Sequence, residues 1–231
     1  MAAAPGSPAL SRSRQDYLKA LFVLAQGQES ATTSQVSQRL GVSAPSVTKM
    51  LTRLATEGLV LHSPRAGARL TAAGRRAALA LIRRHRILET FLVRVLELDW
   101  ALVHEDAEVL EHHISDRVLE ALDRLVGHPL EDPHGHAIPD RRGRMPQRDL
   151  RPLVEVGAGE RAIVREIRDR DGQRMGRWKQ AGLVPGARLR IKSVRPLDDV
   201  YELEIDGRPL IAGRAALVGV MVDRPSRSRH G

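Results

Sequence analysis

The stretch from Thr32 to Gly74 constrains the fold more than any other part of the chain. It opens as TTSQVSQRLGVSAPSVTKMLTRLATEGLV. Thr33 or Ser34 can cap a short helix ending at Leu40, and Gly41 supplies a tight turn. Ser43 can cap a second helix, with Pro45 tolerated in its first turn. Val47, Leu51 and Leu54 form the buried stripe of that helix, and Gly58 ends it. Two short helices joined by a Gly turn make a helix-turn-helix. LVLHSPRAGARLTAAG follows directly and reads as strand, Pro/Gly turn, strand and a Thr71 cap, which is a wing. Such a unit reads DNA. Ser43, Pro45, Ser46 and Lys49, with Thr48 nearby, begin the recognition helix and would meet the major groove. Arg65 and Arg69 at the wing tip are placed to meet phosphates.

The charge agrees with that reading. The formal net charge is +9 and the pI near 10.9, which favours a polyanion: nucleic acid first, an anionic membrane surface second. Cysteine is absent, which excludes disulfides, thiolate zinc sites and cysteine nucleophiles and fits a reducing cytoplasm. The N-terminal MAAAPGSPALSRSRQ lacks the apolar core of a signal peptide, and no apolar run approaches a membrane span. The expectation is a cytoplasmic protein with no membrane partner.

Around the winged unit the pattern is mostly helical. Arg14 to Ala25 places Tyr17, Leu18, Leu21, Phe22 and Leu24 on one stripe, with Asp16 in the first turn on the polar side. One long helix is predicted from Ala72 to about Leu96, and a second, after LELDW, runs to about Leu125. Leu79, Ile82, Leu88, Phe91, Leu92, Leu110, Ile114, Val118 and Leu122 make both too apolar to stand alone, and a homodimer interface is the natural place to bury them. Residues 127–150 are rich in Pro, Gly and charge and read as linking sequence. Beyond them RAIVREI, ARLRIKSV, VYELEI and ALVGVMV are short β-like runs that suit a small SH3-like, FeoA-like barrel. The predicted fold is mainly α with a small β domain. Its parts are a winged helix-turn-helix over 1–71, a helical metal-binding and dimerisation domain over 72–140, a linker over 141–151, the barrel over 152–223 and a disordered tail over 224–231.

The second long helix carries HEDAEVLEHH at 104–113. His104, Glu108, Glu111 and His112 stand at i, i+4, i+7 and i+8 and so share one helical face. His85 and Glu89 are four apart on the other long helix. If the helices pack together, imidazoles and carboxylates gather between them. A set of nitrogen and oxygen donors without thiolate suits Mn²⁺ or Fe²⁺, although Zn²⁺ binds such ligands well. His62, His113 and His128 are read as ordinary surface histidines.

These segments resemble the diphtheria toxin repressor and manganese transport regulator family of metal-dependent transcription factors. The resemblance runs through QDYL at 15–18, SVTKML at 46–51, RRHRILETFL at 83–92, VHEDAEVLEHHISD at 103–116, DPHGHAIP at 132–139 and AGLVPGARLRI at 181–191. It implies a primary metal site of Asp16, Glu108, Glu111 and His112, and an ancillary site of His85, Glu89 and His104. Iron-responsive members carry methionine where Asp16 stands and cysteine where Glu108 stands. Two carboxylates here shift the expectation toward Mn²⁺, with Fe²⁺ as the second choice and Zn²⁺ or Cd²⁺ as substitutes in vitro. Members with a paired manganese site carry a further carboxylate where this chain has Lys19, which argues for the separate ancillary site instead. Asp171 or Gln173 of the barrel could add a ligand there.

The implied function is metal-dependent binding of double-stranded operator DNA by a homodimer that represses metal-uptake genes, without enzymatic activity. Metal bridging Asp16 to the dimerisation helix would fix the spacing of the two reading heads. Two rivals are a winged-helix repressor sensing a small organic ligand and a Glu/His metallohydrolase. Against the latter stands the lack of a nucleophile motif or HExxH.

Overall fold

The computed structural model describes residues 10–25, 30–63, 66–169, 171–195 and 197–223. The chain divides into two compact units, Met1–Arg84 with Pro139–Arg144, and His85–Ile138 with Met145–Gly231.

In the first unit α1 (Arg12–Leu24) buries Tyr17, Leu18, Leu21 and Phe22. It starts at Arg12 with Ser11 as N-cap, not at Arg14, so Asp16 falls in the second turn and not the first. α2 (Thr33–Leu40) is capped by Thr32, one residue before the expected Thr33 or Ser34. The reason is reciprocal bonding. The Thr32 hydroxyl accepts the Gln35 amide at 3.2 Å, while Gln35 Oε1 accepts the Thr32 amide at 2.8 Å. Gly41 closes the helix at φ +66°. α3 (Ala44–Thr56) is capped by Ser43, whose Oγ accepts the Ser46 amide at 3.4 Å, and it fully buries Val47, Leu51 and Leu54. β1 (Val60–Ser63) and β2 (Gly67–Leu70) pair antiparallel from Val60↔Leu70 to Ser63↔Gly67. The helix-turn-helix and its wing are therefore present as read. The Thr71 hydroxyl accepts the Gly74 amide at 3.0 Å and starts α4 (Ala72–Arg94).

In the second unit the end of α4 packs Leu88 and Leu92 on Val103 and Ala107 of α5 (Val103–Leu110). The second long helix is not continuous to Leu125 as expected. Residues 111–114 turn, and a new helix α6 (Asp116–Leu125) begins at Ser115, whose Oγ accepts the Val118 amide at 3.3 Å. A Ser cap followed by Asp in the first turn satisfies amides that an unbroken helix would bond internally, and this local competition wins.

The remainder of the unit holds β3 (Leu150–Pro152), β4 (Arg161–Ile167), α7 (Gly172–Gln180), β5 (Arg188–Arg195), β6 (Val200–Ile205), β7 (Arg208–Gly213), α8 (Arg214–Leu217) and β8 (Val220–Asp223). The strands form one antiparallel sheet in the order β3-β8-β4-β5-β6-β7. Val164, Ile167, Ile191, Leu203 and Val220 line its core, with Trp100 and Ala101 packed against it from the segment before α5. α7 was not anticipated from sequence, because Gly172 and Gly176 weaken its helical signal. It forms because Asp171 caps it and Met175 and Trp178 bury on the sheet. Among the described residues no helix is long and apolar enough to cross a membrane. The predicted tail at 224–231 lies outside the described residues.

Candidate metal centre

The donors of the second unit converge where α4 meets α5. His85 and Glu89 are one turn apart on α4, and both are buried. His85 Nε2 lies 3.0 Å from Glu89 Oε1 and 2.9 Å from His104 Nδ1. His104 Nδ1 is itself 3.0 Å from Glu89 Oε1. These are the three residues of the expected ancillary site, and they stand within hydrogen-bond reach of one another. Because the fold breaks after Leu110, only His104 and Glu108 lie on α5. Glu111 is the residue that ends α5, and His112 follows in the turn. The expectation that all four share one helical face is therefore corrected: α5 ends before Glu111 and His112. Glu108, Glu111 and His112 still offer ligand atoms within 4.8 Å of one another. Glu111 Oε1 is 3.4 Å from His112 Nε2, and Glu111 Oε2 is 2.6 Å from His85 Nδ1.

The electrostatics keep the buried carboxylate charged. Burial alone would raise the Glu89 carboxyl, but the charge of His85 and hydrogen bonds from His104, His134 and His85 hold it well below the usual carboxylate range. His134 was missed in the sequence. Burial alone would lower its imidazole, yet Glu89 and Asp132 raise it above the ordinary histidine value. Its Nδ1 is 3.7 Å from Glu89 Oε2. Asp132, His134 and His136 fall in a stretch read as linking sequence. Two histidines and an aspartate within five residues were the available signal.

The donor set fits a divalent ion of nitrogen and oxygen preference: imidazoles and carboxylates with ligand atoms within 4.8 Å of one another, and no thiolate in the chain. Asp16, the remaining expected ligand, is half-buried on α1 of the first unit. Lys19, one turn further along, is buried. Asp171 accepts the amides of Gln173 and Arg174 at 2.9 and 3.2 Å as the cap of α7. His128 Nδ1 pairs with Asp123 Oδ2 at 2.9 Å.

The DNA-reading residues all belong to the first unit. Ser43, Pro45, Ser46, Thr48 and Lys49 are exposed at the start of α3, and Arg69 is exposed on β2. Ser43 and Ser46 share a hydroxyl–hydroxyl bond of 2.9 Å, and the Thr48 hydroxyl donates to the Ala44 carbonyl at 3.1 Å. Arg65 lies outside the described residues.

Comparison with known proteins covers the same ground. Residues 9–68 match the iron dependent repressor N-terminal DNA binding domain, and residues 71–140 match the iron dependent repressor metal binding and dimerisation domain. Residues 151–224 match the FeoA domain. The iron-dependent repressor IdeR of Mycobacterium tuberculosis is 31% identical over 189 residues, spanning 77% of this chain and 82% of that repressor. A solved manganese-dependent transcriptional repressor in complex with manganese superposes with a TM-score of 0.82 at 38% identity, over 91% of this chain and 99% of that one. ScaR with bound Zn²⁺ superposes at 0.76 with 31% identity, over 91% and 99% of the two chains.

Proposed function

The chain belongs to the diphtheria toxin repressor and manganese transport regulator family of metal-dependent transcriptional regulators, and from that premise we propose that Mn²⁺, held mainly by carboxylates, is the ion to which it responds. Regulation by metal is what its relatives share, and an organic effector finds no support among them. The observation that carries the choice of Mn²⁺ is the grouping of Glu108 with Glu111 and His112, ligand atoms within 4.8 Å of one another, in a chain without cysteine. Hard oxygen donors favour Mn²⁺ relative to softer ions, with Fe²⁺ next; Zn²⁺ and Cd²⁺ would bind as substitutes.

Asp16, Glu108, Glu111 and His112 would hold the primary ion, and His85, Glu89 and His104 the ancillary one. The ion supplies a fixed positive centre that draws carboxylates from separate elements together. Asp16 is on the helix that leads into the DNA-reading unit, so its bond to the ion would restrain that unit. A homodimer restrained in this way would present two recognition helices at the spacing of one operator. Ser43, Pro45, Ser46 and Thr48 would meet base edges, while Lys49, Arg65 and Arg69 would meet phosphates. The regulated DNA would be that of metal-uptake genes in the cytoplasm, repressed when the protein is loaded. No catalytic step enters this reading.

The test is binding to the upstream region of the protein's own gene, titrated anaerobically with Mn²⁺, Fe²⁺ and Zn²⁺. Mn²⁺ is expected to produce tight, salt-sensitive binding by a dimer. Equally tight specific binding after exhaustive chelation would overturn the reading.

A further inference from the structure

The turn 131–137 connects the helices of the second unit to its sheet, and it is built more carefully than a connection requires. Asp132 Oδ1 accepts the amides of both His134 and His136 at 2.9 Å. The opposite oxygen, Oδ2, lies 3.1 Å from His136 Nδ1. The His134 carbonyl accepts the Ile167 amide at 2.9 Å. Gly135, at φ +84°, sits so close to β4 that a Cβ there would lie 1.9 Å from the Arg165 carbonyl oxygen. The backbone therefore fixes where both imidazoles stand.

Each imidazole then commits its Nε2 outward. His134 Nε2 donates to the Trp100 carbonyl at 2.7 Å, and His136 Nε2 lies 3.8 Å from Glu166 Oε1. A metal-binding histidine almost always gives its second ring nitrogen to a backbone carbonyl or a carboxylate, which sets the tautomer and leaves the first nitrogen as ligand. His134 follows that rule with a backbone carbonyl, while His136 Nε2 faces the Glu166 carboxylate at ion-pair range. One ligand atom each from Asp132, His134 and His136 lies within 4.8 Å of the others. Bonds of about 2.0–2.2 Å to an ion would bring such atoms to roughly 3.3 Å apart, a shift that side-chain rotation can supply.

The surrounding charge permits an added cation. Arg86 Nε is 3.6 Å from Asp132 Oδ2 and its Nη1 donates to the Ala137 carbonyl. Arg168 pairs with Glu166 at 2.5 Å. Arg148 donates to the Gly135 carbonyl at 2.6 Å and pairs with Glu131. Against those three guanidiniums stand four carboxylates, of Glu89, Glu131, Asp132 and Glu166.

We propose that Asp132, His134 and His136 form a further metal site, taking a first-row divalent ion through two Nδ1 atoms and a carboxylate. It would pin the turn 131–137 between α4 and β4. It shares no ligand with the primary and ancillary sets, and it borders the ancillary one, where His134 Nδ1 lies 3.7 Å from Glu89 Oε2.

The test uses the full chain with Zn²⁺ and Mn²⁺ as probes. In a Glu111→Ala, His104→Ala background, one Zn²⁺ per protomer is expected to remain after gel filtration, and adding His134→Ala and His136→Ala should remove it. A background that retains no ion, or keeps it after both histidines are gone, overturns the proposal. Crystals of the parent chain grown with Mn²⁺ provide a second measurement that needs no variant. An anomalous peak bounded by Asp132, His134 and His136 is expected, and its absence at saturating metal overturns the site. Failure of the primary-site reading would look different: the Glu111→Ala, His104→Ala background would then bind as many ions as the parent.

Discussion

His85 Nδ1 stands 2.6 Å from Glu111 Oε2, across 26 positions of sequence. The same ring reaches Glu89 through Nε2 at 3.0 Å. One imidazole therefore joins a residue of the proposed primary site to a residue of the proposed ancillary site. If Nε2 ligates the ancillary ion, Nδ1–H donates to Glu111 and orients its carboxylate. His85→Ala should then weaken both sites, the Glu111 site by about 10–100-fold, the usual cost of losing such an outer partner. Calorimetric Mn²⁺ titration of the variant checks this. Loss at the ancillary site alone would show that the two are independent.

Glu108 sets the hardness of the primary donor set. Glu108→Cys should lower the activating concentration of Fe²⁺ relative to that of Mn²⁺, because a thiolate favours the softer ion. The quantity to measure is the ratio of the two activating concentrations in parent and variant. An unchanged ratio would mean that Glu108 is not a ligand.

Asp16 separates metal binding from response. Glu108, Glu111 and His112 already offer ligand atoms to one ion without it. Asp16→Ala should keep measurable Mn²⁺ binding and lose most metal-stimulated DNA affinity, with a coupling of about 1–3 kcal/mol. Glu111→Ala should lose both together. Calorimetry beside a DNA titration distinguishes them, and an Asp16→Ala protein that responds like the parent would refute the restraint model.

Gly74 is a stability prediction on the first unit. An added Cβ there would fall 1.9 Å from the Leu59 carbonyl oxygen, which is backbone and cannot swing away. Helix propensity alone would make Ala better than Gly by about 1 kcal/mol. The clash outweighs it, so Gly74→Ala should destabilise by roughly 1–3 kcal/mol, on the scale of overpacking. Denaturant unfolding gives the sign directly.

Lys49 is exposed at the start of α3. Lys49→Ala should weaken DNA binding almost equally for specific and random duplexes and flatten the log–log salt slope by about 1. A change confined to one base position would assign Lys49 to base reading instead.

Elements whose signals are local were legible in the order of residues. Val47, Leu51 and Leu54 fall at helical spacing and are buried, Gly41 takes the left-handed turn, and Ser43 caps the helix it precedes. Such features depend on neighbours within one or two turns, so the order of residues is enough to read them. Local competition was legible only in part. Thr32 caps α2 because Gln35 can bond back to it, and Ser115 interrupts a helical pattern that periodicity would have carried through. Tertiary structure decided what meets across distance. His85 on Glu111, and His134 on Trp100 34 positions away, rest on how α4, α5 and the turn 131–137 pack. Helical spacing shows which residues share a face. It says nothing about which partner that face will meet, since burial of the surrounding apolar side chains fixes the approach of the elements, and the polar groups bond to whatever that approach brings near them.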